Sequence, residues 1–302
     1  MQAWSASEGN PRLPLRLRFR LAPRRELFGY NGSTALAWPP ARQTMCGRFT
    51  LRAPVSVLAE QFALLETAPL APRFNIAPTQ PVAIVRLRPA TMHGDRPDAR
   101  GEGRGNATAS LGLDFGSKER QMVLVRWGLI PSWAKDPRIG SRMINARAES
   151  AAEKPAFRAA LARRRCLMLA DGFYEWQQTG KGKRAHFIRM RDDRPFAFAA
   201  IWEAWKAPDG CWLESAALLT TEANEVVAPI HDRMPVILRP EDYASWLDPG
   251  RQGPESLRPL LRPYAADAMV AYPVSTHVNS PAHDDARCIQ PDAQGPGGPH
   301  AV

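Results

Sequence analysis

A methionine and a cysteine stand together at positions 45 and 46, in the stretch TMCGRFTL. Removal of Met45 and everything before it would make Cys46 a first residue, carrying an α-amine and a thiol on adjacent carbons. The amine titrates near about 7.7–8.0 and the thiol near about 8.5, so both are partly nucleophilic around neutral pH. Such a pair has one distinctive reaction. The amine condenses with an aldehyde to give an imine, and the thiol adds to the imine carbon and closes a five-membered thiazolidine. The closure is intramolecular and correspondingly favoured. An interior Cys46 lacks this chemistry, because its nitrogen is an amide. Most single cysteines are small buried apolar groups, and Cys166, Cys211 and Cys288 are read that way.

Four other stretches hold groups able to move protons or bind anions. MINARAES carries Asn145, Arg147 and Glu149, and ADGFYEW carries Asp171 and Glu175 among aromatic residues. WGLIPSWAKD carries Trp127 and Trp133, and PIHDRMPVIL carries His231, Asp232 and Arg233. Taken singly each has an ordinary structural explanation: a surface charge, a turn histidine, a core tryptophan. Spacing alone does not bring them together.

The elements that must position these groups are short. Helical spacing predicts helices over 55–65, 153–164 and 240–247, with a helical turn at 224–230. Strands are predicted over 81–88, 121–130, 185–191, 195–205, 215–222, 231–238 and 268–275, and 165–178 reads as one buried strand ending at a turn. Residues 90–119, rich in Gly, Asp, Arg and Ser, read as a mobile inserted loop. The pattern predicts an α+β fold in one domain spanning about 45–290. Residues 1–44 are expected to be a disordered basic extension, either not normally translated or removed, and 291–302 a frayed tail.

Composition narrows the setting. No apolar run is long enough to span a membrane. The four cysteines form no C-x-x-C pair, which argues against a zinc knuckle or a disulfide framework and suits a reducing, cytoplasmic compartment. Net charge is +10, and the seven arginines and two glutamates of residues 1–44 account for half of it. A mildly basic body is compatible with a phosphate-bearing partner and equally with a solvated basic surface.

The motifs MCGRF, RFNIAP, WGLIPSW, INARAES, ADGFYEW and IHDRMPVIL occur in one order over Met45 to roughly Gln290, and in this the chain resembles the SRAP (SOS response-associated peptidase) family of abasic-site processing proteins. The resemblance implies a compact domain with a barrel-like, mostly antiparallel sheet, flanking helices and a DNA-binding groove. It implies covalent capture of abasic sites in single-stranded DNA by a mature N-terminal cysteine, with weak lyase activity. Carried onto this chain, it makes Cys46 the nucleophile and gives Asn145 the task of holding its amine and the opened sugar. Glu175 becomes the acid/base carboxylate and His231 the histidine beside the sugar. Arg48, Arg147 and Arg233 become phosphate-facing, Trp133 stands near the DNA bend, and Thr220 lines the pocket. Where members carry two adjacent tryptophans, this chain has Ser132 and Trp133. A monomer without metal or cofactor is expected.

The implied roles also make chemical sense. Histidine is the side chain suited to moving protons near neutral pH, so His231 can pass one to or from the sugar hydroxyl. A Glu175 packed among Phe173, Tyr174 and Trp176 should have a raised pKa and could help dehydrate a carbinolamine. Two other readings compete: a cysteine peptidase, perhaps acting only on its own N-terminus, with His231 as base and Asn145 as oxyanion donor; and a non-enzymatic single-strand binder in which Cys46 is structural.

Overall fold

Two sheets share one apolar interior in the computed structural model, which describes residues 46–65, 67, 69–88, 119–180 and 182–292. The N-terminal extension, most of the 90–119 loop and the tail from 293 lie outside the described residues. The strands are β1 (Arg48–Leu51), β2 (Arg73–Ile76), β3 (Pro81–Leu87), β4 (Arg120–Trp127), β5 (Asn145–Arg147), β6 (Arg165–Ala170) and β7 (Gly172–Thr179). They continue as β8 (Gly182–Met190), β9 (Phe196–Lys206), β10 (Trp212–Glu222), β11 (Arg233–Pro235), β12 (Ile237–Leu238) and β13 (Met269–Pro273). The helices are α1 (Val55–Phe62), α2 (Arg158–Arg163), α3 (Tyr243–Leu247) and α4 (Pro254–Leu257). None of the described helices is long and apolar enough to cross a membrane.

One sheet runs β13-β8-β7-β1-β2 and is antiparallel throughout. In the other, β10, β4, β3, β6 and β9 pair in turn, and a further β9–β10 pairing closes them into a five-stranded barrel. The barrel is mixed, because β10 runs parallel to β4 and to the short β5. Strands β6 and β9 are buried on both faces, and their sequences RCLMLA and FAFAAIWEAWK accordingly lack a polar alternation. Phe49 of β1 meets Trp127 and Phe198 edge-on, at 5.0 and 5.7 Å between ring centroids, which ties the two sheets together.

Several predicted elements differ from those observed. The single strand expected over 165–178 is two strands in different sheets, broken at Asp171. The Asp171 carboxylate accepts hydrogen bonds from Thr50 Oγ1 at 2.6 Å, Arg52 Nε at 3.0 Å and the Ala53 N–H at 2.8 Å, as well as from the Arg52 N–H. Gly172 follows because any Cβ there would run into the Phe187 ring. The first helix stops at Phe62, where Ala63 turns into the left-handed region at φ 53°. The helix predicted from 153 begins only at Arg158, after a run of turns containing Pro155. Residues 225–230 are turns, and the strand predicted over 231–238 is split into β11 and β12. The short elements β1, β2 and β5 had no sequence signal of their own.

A second anchor is built on a cation and backbone carbonyls. The buried Arg165 guanidinium donates to the carbonyls of Trp246, Leu161, Ala162, Arg251 and Asp248. Burial pushes its pKa down to about 10, against the opposing pull of the Asp248 charge.

Candidate active site

The start of β1 and the middle of β7 come together at a pocket of about 480 Å³. It is lined by Arg48, Glu175, Trp176, Lys183, His231 and Asn279, among others. Cys46, next to the pocket-lining Gly47, is 1% exposed. The Cys46 backbone N–H donates to Glu175 Oε1 at 2.9 Å, and Asn145 Nδ2 donates to the Cys46 carbonyl at 3.1 Å. Two residues far apart in the chain thus grip one cysteine. The strand pairing brings them there: β1 lies antiparallel to β7, with Arg48 opposite Tyr174, and β5 places Asn145 beside Leu218.

Glu175 is 2% exposed. Burial raises its pKa to about 8, against the opposing pull of the Cys46 hydrogen bonds and with a further push from the charge on Asp232. The Cys46 thiol is raised well above its ordinary value, first by burial and then by the neighbouring Glu175 charge and hydrogen bond. It is a thiol at neutral pH, unlike the thiolates of cysteine hydrolases, which are lowered by a cationic partner.

His231 reaches the pocket from the turn before β11. Its Nδ1 accepts the Arg233 backbone N–H at 3.0 Å, and Asp232 Oδ1 stands 3.1 Å from the same nitrogen. Nε2 is the ring nitrogen left for the pocket. Asn224 shapes this turn: its Oδ1 accepts the Val227 N–H at 3.0 Å and its Nδ2 donates to the Tyr264 carbonyl at 2.8 Å.

The remaining sequence-derived residues are differently placed. Arg48 lines the pocket, but its guanidinium donates to Asn75 Oδ1 and to the Val278 carbonyl, both at 2.9 Å, and lies 5.9 Å above the Trp176 ring. Arg147 is exposed at the end of β5. Arg233 is tied to Glu149 and Thr220. Thr220, expected to line the pocket, is fully buried within β10 and holds Arg233 from behind. Trp133 is 59% exposed, a large apolar face turned to water.

Sequence reasoning missed part of the wall. Asn279 accepts a 2.9 Å hydrogen bond from Trp176 Nε1 and reaches the pocket from a 3-10 turn near the end of the described chain. Nothing in HVNSP marks it. Lys183 stands in the basic hairpin TGKGKR, whose charge was a signal that went unused.

Among the described residues, one cluster has metal-ligating types within 4.8 Å of each other: His277, Asp285 and Cys288. Asp285 is already engaged through both oxygens by Arg287, at 3.0 and 2.8 Å. That guanidinium holds its carboxyl well below the usual range. The trio reads as an ion pair beside the stacked rings of His277 and His283, 3.9 Å apart.

The profile of the family described as SOS response associated peptidase (SRAP) matches residues 45–281. The chain is 40% identical to the abasic site processing protein YoqW of Bacillus subtilis (strain 168), over 82% of this chain and 99% of that one. It is 35% identical to the abasic site processing protein HMCES of Gallus gallus, over 59% of this chain and 60% of the relative. Among solved structures, a protein from Bacteroides thetaiotaomicron superposes with a TM-score of 0.64 at 24% identity, covering 82% of this chain and all of the other.

Proposed function

The chain belongs to the SRAP family, and from that membership and the grip on Cys46 we propose that it processes abasic sites in single-stranded DNA by covalent capture. The observation that carries the reading is the hydrogen bond from the Cys46 nitrogen to a buried Glu175 whose pKa is near 8. Burial raises this carboxyl and a terminal ammonium at Cys46 would draw it down again, and a carboxyl held between those two effects can both take and return a proton.

The chemistry needs Cys46 as first residue. Its α-amine attacks the aldehyde carbon of the ring-opened sugar, and a proton passes from nitrogen to the Glu175 carboxylate. Glu175 passes that proton to the alkoxide oxygen to give the carbinolamine, then relays the second nitrogen proton to the hydroxyl, which leaves as water and gives the imine. The Cys46 sulfur then bonds to the imine carbon, while the thiol proton reaches the imine nitrogen. The sum is one aldehyde and one cysteine converted to one thiazolidine and one water. Asn145 holds the cysteine carbonyl, and His231 Nε2 faces the sugar hydroxyls. The imine stage also activates the neighbouring carbon for β-elimination, the source of weak lyase activity. A thiol raised by burial favours amine attack first over direct thiolate attack on a peptide carbonyl.

The test is a heat-stable adduct with an oligonucleotide bearing one abasic site. Protein beginning at Cys46 should form it, and the 302-residue chain with Met45 in place should not. Cys46→Ser keeps the amine and should give only a reversible imine. An equally heat-stable adduct from Cys46→Ser would eliminate ring closure by sulfur.

A further inference from the structure

Arg233 opens β11 two residues beyond His231, yet its guanidinium fork is not free. Nη1 donates to Glu149 Oε1 at 2.7 Å, and Nη2 donates to Glu149 Oε2 at 2.9 Å and to the Thr220 carbonyl at 2.7 Å. These partners differ in kind. Thr220 is fully buried in β10, so that anchor is part of the sheet. Glu149 sits on a turn after β5, with a side chain 55% exposed against 14% for Arg233.

Arg147 supplies a second positive charge. Arg233 first, and Arg147 more weakly, hold the Glu149 carboxyl below its ordinary range, so it is an anion at neutral pH. One carboxylate therefore lies within the field of two arginines that the proposed reading assigns to strand phosphates. Carboxylate and phosphate offer a guanidinium the same paired oxygens. Glu149 occupies the place a phosphate would take.

We propose that Glu149 is a displaceable counter-anion: a positioning residue that keeps the Arg233 fork oriented while the pocket is empty and gives way to a backbone phosphate when a strand arrives. Arg233 keeps its Thr220 anchor through the exchange, and Glu149 swings into water. The arrangement also lowers affinity, because each incoming phosphate must displace an anion already paired. This inference rests on the single-strand reading and deepens it.

The charge-removing variant Glu149→Gln tests it, with an oligothymidylate lacking abasic sites as probe and binding followed by fluorescence anisotropy. Arg233 reaches its phosphate in both proteins, so the logarithmic salt slope between about 50 and 200 mM should stay near the wild-type value. Affinity at the lower salt should rise about twofold to fivefold, the scale of one exposed ion pair that no longer has to be broken. Glu149→Asp keeps the charge and should bind as the wild type does. A purely structural Glu149 would give Glu149→Gln weaker binding, and either that or tighter binding by Glu149→Asp overturns the proposal. Failure of the wild-type protein to bind the probe at any salt would strike the single-strand reading first and this inference with it.

Discussion

Glu175→Gln should make the 302-residue protein more stable, by an amount that depends on pH. In the folded protein the Glu175 pKa lies near 8, against 4.5 for an ordinary glutamate. The folded state therefore holds this proton more tightly than the unfolded chain. Between those values stability falls as pH rises, because ionisation costs the folded state more. Each pH unit across the window corresponds to about 1.36 kcal/mol. At pH 7 the accumulated loss is about 3 kcal/mol, and above pH 8 it levels near about 5 kcal/mol. Glutamine does not titrate, and its carbonyl oxygen can still accept the Cys46 N–H. The difference in unfolding free energy between variant and wild type should thus be small at pH 4 and widen toward pH 8. Urea denaturation at a series of pH values measures it, and taking the difference between variants cancels the other titrating groups. A difference that stays flat across this range would refute the desolvated-carboxylate argument. The same measurement on protein beginning at Cys46 adds a second check. There the nitrogen bonded to Glu175 is an ammonium, which should pull the carboxyl down and shrink the difference. In capture assays Glu175→Gln should react slowly while DNA affinity changes little.

Two further outcomes are expected. Trp133→Ala should weaken single-strand binding by about 1–3 kcal/mol, the value of one stacked base, with thermal stability almost unchanged because the ring is exposed; unaltered affinity in anisotropy titrations would remove Trp133 from the DNA path. Arg86 is fully buried, with its fork on Glu214 at 2.7 and 3.1 Å and its plane 4.1 Å above Trp202. Arg86→Ala should cost about 3–5 kcal/mol by stranding its partner, and a loss below about 1 kcal/mol in denaturant titrations would show that water reaches Glu214 freely.

The sequence displayed the strands best where alternation or continuous burial was strong, as in PVAIVRL, AHFIRM and FAFAAIW. It hid the break at Asp171, because what stops the strand is Thr50, Arg52 and Ala53, more than a hundred residues away. It hid β5 because three residues carry no period, and that strand forms only by lying beside β10. The core of the site was legible as a set of motifs, but not as an arrangement. Cys46, Asn145 and Glu175 meet through pairings across the sheets. The arginines show the limit of reading by residue type. Arg48 and Arg233 could each have faced a phosphate, yet one is spent largely on carbonyls and the other on Glu149. Charge is visible in a sequence, but its prior engagement is not.

The Asp171 latch has a mechanical consequence. Thr50 lies four residues after Cys46, and Glu175 lies four residues after Asp171. The latch and the bond from Cys46 to Glu175 therefore close a tight circuit of chain, although the two reacting groups are separated by 129 positions. Their spacing is gauged by two short, rigid arms clamped at one corner. Lengthening of distant loops, or softening of the helices near the C-terminus, leaves that gauge untouched, whereas a fault at the corner shifts nucleophile and acid together.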